Sequence, residues 1–388
     1  MTLRVAVLAV FLSAWTVTPQ VIFRVPADCS GSGPTICSVS SSTLTDAGTL
    51  TITGVNFGTK NPAAPMVWDD GGTSASTSPF THGYNSVWSH PDDTSGSQSN
   101  TDCDEHYRTQ AEVVALGSLA AGMPMAHSHM TRYLTGAHCD SPTAGASGVE
   151  TVFGGVSLPF NVFTSVYEAY DPNWCFQGEA ACPVEVDNNF KDFTWSTALG
   201  NTGPPSGYWY SVSNDGAASW SWGSDRFDMG SGPSGTNPFG HWRQVQWVMH
   251  MARTGGSIAL YENGTQRWDV TGVDSTQGDG STGTDCGSYG SPCFGWWIGG
   301  YYRPAERTSQ RQYFGDIYID RTWARVILGN ASTYASATTR EPQIPSAWSS
   351  SSITVTVNLG ALSAETAYLY VCDSTNTCSA GFQVTAGS

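Results

Sequence analysis

Apolar and polar residues alternate in short runs along most of this chain, and clusters of Gly, Pro, Asn and Asp interrupt the runs at close intervals. A period of two turns successive side chains to opposite faces of an extended backbone, so each run predicts a half-buried β-strand. In the middle of the chain the runs are Val162 to Tyr167, Phe190 to Trp195, Gly207 to Val212, Trp242 to Arg253, Ser257 to Tyr261, Trp296 to Tyr302 and Tyr313 to Asp320. The ends repeat the pattern: Leu50 and Ile52 alternate with threonines, and Ile353 to Val357, Ala367 to Val371 and Phe382 to Val384 follow far downstream. Long amphipathic helices are scarcely visible, and no 20–50-residue repeat of a solenoid or propeller appears. The expectation is an all-β protein of stacked antiparallel sheets.

The segment 38–58 ends its strand in Ile52-Thr-Gly-Val-Asn-Phe-Gly58. It resembles the opening of an IPT/TIG domain, an immunoglobulin-like module whose signature is a strand closing in such a Gly-x-Asn-Phe-Gly turn. Ile344 to Trp348, Ile353 to Val357, Ala367 to Val371 and Phe382 to Val384 look like the closing strands of the same module. Neither half has enough strands to bury a core between two sheets, so the two are expected to form one Ig-like β-sandwich. The expected organisation is a discontinuous domain of residues 30–67 plus 335–388, with residues 68–334 inserted as an autonomous unit whose ends emerge side by side. Within the insertion, Trp242 to His250, Ile258 to Gly264 with Trp268, and Tyr313 to Asp320 resemble late strands of concanavalin-A-like (LamG-type) jelly rolls. That superfamily includes lectins, laminarinases and polysaccharide lyases, so the resemblance implies a jelly-roll sandwich that handles polysaccharide. A shared scaffold leaves the activity open.

Composition narrows the partners. A net charge of −16 with only two lysines, Lys60 and Lys191, argues against nucleic acid or an anionic membrane as partner, because either needs a basic patch. The phosphate-binding Gly-x4-Gly-Lys loop and the Gly-x-Ser-x-Gly elbow are absent, which removes nucleotide and α/β-hydrolase chemistry. Ten cysteines fall into neighbouring couples, Cys29/Cys37, Cys103/Cys139, Cys175/Cys182, Cys286/Cys293 and Cys372/Cys378, read as local disulfides in an oxidising, extracellular compartment. Residues 1–29 open with Met-Thr-Leu-Arg and an apolar run from Val5 to Trp15. This is a signal-peptide core, or alternatively a retained anchor or a strand donated to a neighbouring subunit.

Alternation places Trp242, Gln244, Gln246, Val248 and His250 on one face of their strand, and Arg243, Val245, Trp247, Met249 and Met251 on the other. The second set is the better core, and the first mixes amides, an imidazole and an indole, the side chains that line a sugar groove. Trp242, Gln244 and Gln246 are therefore candidate glycan contacts, joined by Trp220 and Trp222 in a Ser/Gly-rich loop. A retaining glucanase needs closely paired carboxylates on one strand, and the nearest string, Glu185-Val-Asp-Asn-Asn-Phe190, lacks the acid/base. A lyase needs a carboxylate-neutralising group and a proton acceptor, roles open to Gln246, His250, Tyr301 and Arg303, although the alginate-lyase motifs are not reproduced. No cofactor is required. His127, His129 and His138 form a conceivable metal set, and Asp69, Asp70 and Asp316 or Asp320 are candidate structural-calcium ligands. The function expected is binding of polysaccharide or surface glycan, with lyase chemistry on a uronate glycan and a structural role in a filament, surface layer or adhesin through self-association as alternatives.

Overall fold

The computed structural model describes residues 29–70, 158–170, 240–252, 254–273, 275 and 310–387, and the backbone of short strands between them. In chain order these strands are β1 (Thr35–Val39), β2 (Thr43–Leu44), β3 (Thr49–Val55), β4 (Val67–Asp69), β5 (Glu105–Arg108), β6 (His129–Leu134), β7 (Val149–Gly154) and β8 (Phe160–Tyr170). They continue with β9 (Phe193–Ser196), β10 (Tyr208–Val212), β11 (Ala218–Trp222), β12 (Asp225–Phe227), β13 (Arg243–Met251), β14 (Gly256–Glu262), β15 (Thr265–Val273) and β16 (Cys293–Ile298). The last are β17 (Gln310–Asp320), β18 (Arg325–Gly329), β19 (Arg340–Trp348), β20 (Ser352–Thr356), β21 (Thr366–Cys372) and β22 (Phe382–Ala386). A one-turn 3₁₀ helix, Tyr334–Ser336, links β18 to β19. The protein is all-β, as the alternation predicts.

One sheet draws on both ends of the chain, in the order β1-β3-β20-β19-β18-β21-β22-β2. Leu50 of β3 stands opposite Val355 of β20, and Ile52 opposite Ile353, across about 300 residues of sequence. The long strand β19 pairs with β18 through its first half and with β20 through its second, so the sheet curls over itself. Inside the curl Leu50, Ile52, Val326, Leu328, Val355, Leu369 and Val384 share one core. The Gly-x-Asn-Phe-Gly turn has a steric reason. A Cβ on Gly54 would overlap the Thr35 carbonyl and the fully buried Phe57 ring, while Asn56 and Gly58 adopt positive φ. Strand β18, expected within the inserted region, belongs to this outer sheet and is buried along its whole length.

The second sheet runs β15-β14-β13-β8-β17-β6-β5, with β4 pairing on β17, and the third runs β12-β11-β10-β9-β16-β7. Strand β13 is central in the second sheet, and both of its faces are buried. Val245, Trp247, Met249 and Met251 are fully buried on one side, as the alternation predicts. On the other side Val248 joins Phe163 and Tyr318 in a cluster with Ile327 of β18 and Tyr370 of β21. The second sheet therefore packs on the outer sheet formed by the chain ends, and that seam is where the polar chemistry gathers.

Two of the five expected disulfides lie among the described residues: Cys29 pairs with Cys37, and Cys372 with Cys378. The other three couples do not. Cys103 and Cys139, Cys175 and Cys182, and Cys286 all lie outside the described residues, and Cys293 is described only as the backbone start of β16. The pairings Cys103–Cys139, Cys175–Cys182 and Cys286–Cys293 therefore rest on their closeness in sequence alone. The apolar N-terminal run also lies outside the described residues. Among the described residues no helix is long and apolar enough to cross a membrane.

Candidate functional site

The face of β13 expected to be an open groove is closed. Gln244 and Gln246 are each 1% exposed, because β19 lies across them. The Gln244 side chain donates to the Arg340 carbonyl oxygen at 2.7 Å and accepts from the Arg340 backbone N–H at 3.2 Å, copying a peptide group in a ladder. Gln246 donates to the same carbonyl at 3.3 Å and to Ser165 Oγ at 3.3 Å. Amides satisfy a buried backbone as well as they recognise hydroxyls, and composition alone does not separate the two uses. Trp242 is half-buried against Tyr313 and packs with Tyr167, Ala169 and Ala361. His250 is half-buried and bonded to Asn161 Oδ1 at 2.7 Å, with its ring 6.1 Å from Trp323.

The remaining candidates are scattered. Trp220 and Trp222, expected in a loop, lie on strand β11, in register with Tyr210 and Tyr208 of β10. Tyr301 and Arg303 fall outside the described residues, as do His127 and His138, whereas His129 starts β6. Asp69 is buried opposite Ile317 and Asp70 is half-buried. Asp316 is buried at a positive φ of 45° in a bulge of β17, where it accepts from Asn358 Nδ2 at 3.4 Å. Among the described residues no three His, Cys, Asp or Glu side chains gather as a metal centre.

The seam instead carries three polar clusters that sequence reasoning missed. In the first, Lys60 meets Asp320 at 2.5 Å, and Tyr318 donates its hydroxyl to the same carboxylate at 3.0 Å. Burial lowers the Lys60 ammonium and raises the Asp320 carboxyl, each outweighing the attraction of the opposite charge. In the second, Tyr167 donates its hydroxyl to Glu341 Oε1, which also accepts from the Ala361 N–H at 2.9 Å. Glu341 is fully buried; that burial, then the nearby Asp316, pushes its carboxyl up to about 8 against the pull of these two donors.

The third cluster is built around two arginines. Arg325 of β18 and Arg340 of β19 are 0% and 1% exposed, and among the described residues neither has a carboxylate within ion-pair distance. Arg325 donates from Nη1 to the Trp323 carbonyl at 2.6 Å and from Nη2 to the Tyr334 hydroxyl at 2.9 Å. Arg340 donates from Nε to the Ala337 carbonyl at 3.1 Å and from Nη2 to the Tyr334 carbonyl at 2.9 Å. The guanidinium carbon of Arg340 lies 4.2 Å from the Tyr334 ring centroid and 5.3 Å from that of Tyr261, and Arg325 lies 4.3 Å from Phe163. Ring faces and carbonyls thus carry the charge compensation. Burial acts to raise the Tyr334 phenol, but Arg325 and then Arg340 outweigh it and hold the group below its ordinary value. Around this pair Tyr261, Trp323, Tyr334 and Tyr368 are half-buried and pack on one cluster. The available signal was local: two arginines with a tyrosine between them in the short span 325–340 of a chain with only 16 basic residues.

No protein-family model matches the chain, and no curated protein does. Among solved structures it is similar to a sialidase, at 11% identity and a TM-score of 0.36, over 70% of this chain and 20% of that one. A botulinum neurotoxin type C structure, described by its interaction with two ganglioside molecules, aligns at 11% identity and a TM-score of 0.26, covering 58% of this chain and 46% of its own. A GlcNAcα1-4Gal-releasing endo-β-galactosidase from Clostridium perfringens aligns at 8% identity and a TM-score of 0.31, over 83% and 70%. The chain thus spans less than half the length of the first two. At these scores the chemistry of the site stands on its own residues.

Proposed function

We propose that the chain is an exported carbohydrate-binding protein, in which an IPT/TIG-like module made from both chain ends carries an inserted concanavalin-A-like jelly roll. The module boundary falls before Arg325 in this reading, because β18 pairs with β19 and β21. Export is supported by the two local disulfides, which persist in an oxidising compartment.

The observation that carries the reading is the convergence of Tyr261, Trp323, Tyr334 and Tyr368 at the seam, half-buried and beside fixed hydrogen-bond donors. A sugar ring offers C–H faces that pack on aromatic rings and hydroxyls that need polar partners, and this edge supplies both. Most aromatics of a sandwich fill its core with no polar group near. These keep an exposed part, and the rings of Tyr261 and Tyr334 lie against guanidiniums.

A glycan array tests the reading, with Tyr261→Ala and Trp323→Ala beside the unaltered protein and circular dichroism as the control for folding. The expected result is retention of a defined glycan class, weakened roughly three- to tenfold in each variant, the size of a lost aromatic contact. Folded protein that retains no glycan, or variants that bind as well as the unaltered chain, contradicts it.

A further inference from the structure

We infer that the glycan is anionic, and that the Nε/Nη2 edge of Arg325, backed by Arg340, receives its carboxylate or sulfate oxygens. The inference rests on the carbohydrate reading and specifies the chemistry of the same site.

A guanidinium presents five N–H donors, and two parallel ones on a single edge match the two oxygens of a carboxylate or sulfate. In Arg325 that edge is incompletely served. Nη2 donates to a neutral phenol oxygen, and buried Nε has no acceptor. Arg340 likewise has both other nitrogens on backbone carbonyls and Nη1 without an acceptor. Two unmet donors on two buried cations, with no carboxylate of the described residues in contact, are costly, and an oxyanion would offset that cost. No other buried cation among the described residues is left in this condition: Lys60 has Asp320, and Arg243 has Glu168 and Glu262.

Tyr334 is the stand-in for the ligand. Its hydroxyl occupies the place on the Arg325 edge that one oxyanion oxygen would take, and its ring lies against Arg340. It sits on the one-turn helix Tyr334–Ser336, which buries none of its residues completely, and its ring packs from the rim against Tyr370. The two arginines already favour its ionised form. An incoming oxyanion exchanges with the hydroxyl and leaves the ring free to stack on the sugar.

The net charge of −16 repels anions at a distance, but salt at physiological strength screens that field beyond about 8 Å. Selectivity then comes from contact inside the seam.

Calorimetry on the full chain tests this with one oligosaccharide in three forms: carboxylated, the same chain reduced to the neutral alcohol, and sulfated. The expected result is that the carboxylated or the sulfated form binds at least roughly tenfold tighter than the neutral one, as a charged hydrogen-bonded pair implies. The stronger of the two identifies the oxyanion. Arg325→Lys keeps the charge and loses the fork, so it should abolish most of that preference. Tyr334→Phe should keep or increase the preference, because it frees Nη2. In the unaltered protein, the bound oxyanion should raise the pH at which tyrosinate absorbance appears. Equal affinity for all three forms, or a preference that survives Arg325→Lys, overturns the inference while the carbohydrate reading stands. Failure to bind any form removes the reading and the inference with it.

Discussion

Glu341 shows how burial, reinforced by the nearby Asp316, reverses the behaviour of a carboxyl. Folded, it holds its proton up to about 8; unfolded, it ionises near 4.5, so between those values the folded state binds the extra proton. Linkage then requires stability to fall as pH rises from about 4.5 towards 8 and to level off above. At about 1.4 kcal/mol per unit the loss amounts to several kcal/mol. Glu341→Gln keeps an acceptor for Tyr167 and Ala361 and removes the titration, so denaturant melts should show a flatter slope and a variant more stable than the unaltered protein at pH 8. Identical slopes contradict the assignment. Lys60 and Asp320 give the complementary case, since each is costly to bury without the other. Lys60→Met or Asp320→Asn alone should cost about 3–5 kcal/mol, and the double variant markedly less than their sum. Additive losses in the double-mutant cycle would mean that the pair is not coupled.

Strands β13 and β18 have no solvent-facing side, and that is why one was half read and the other was counted with the insertion although it pairs with β19 and β21. In β13 the odd positions Val245 to Met251 announced a core through their apolarity, whereas Gln244 and Gln246 announced water. They in fact replace a missing rung of backbone hydrogen bonds to Arg340, a use that depends on a strand about a hundred residues away. In β18, Arg325 looks like an exposed end, but Val326 and Leu328 face one core and Ile327 another. The turn between β14 and β15 fits against the loop before β19: Gly264 has a φ of 70°, and a Cβ there would overlap the Ala337 carbonyl. Gly264→Ala should therefore cost the roughly 1–3 kcal/mol of a left-handed non-glycine residue, plus the displacement of that loop. Thermal melts measure it, and a change below about 0.5 kcal/mol would mean the turn does not touch the loop.

At the scale of the whole molecule, the alternation and the Gly-x-Asn-Phe-Gly turn made the all-β class legible, along with the kinship of the two chain ends. Leu50 and Val355 pair across about 300 residues and share a core, so Leu50→Ala should cost about 2–5 kcal/mol and loosen both ends together. The packing of the inner sheet on the outer one left no trace in the sequence. A solvated sheet face and a buried polar seam use the same residue types, and only tertiary contact tells them apart. For that reason the candidate site moved from Gln244 and Gln246 to an edge that neither strand builds alone. Arg325, Tyr334 and Arg340 come from the outer sheet and its connection, and Tyr261 from the inner one. The most direct measurement is the hydrogen-exchange footprint of an acidic oligosaccharide on the full chain. Bound oligosaccharide should slow exchange in the 331–339 connection and at the start of β18. Slowing confined to β11 around Trp220 and Trp222, with the 331–339 connection unchanged, would contradict it.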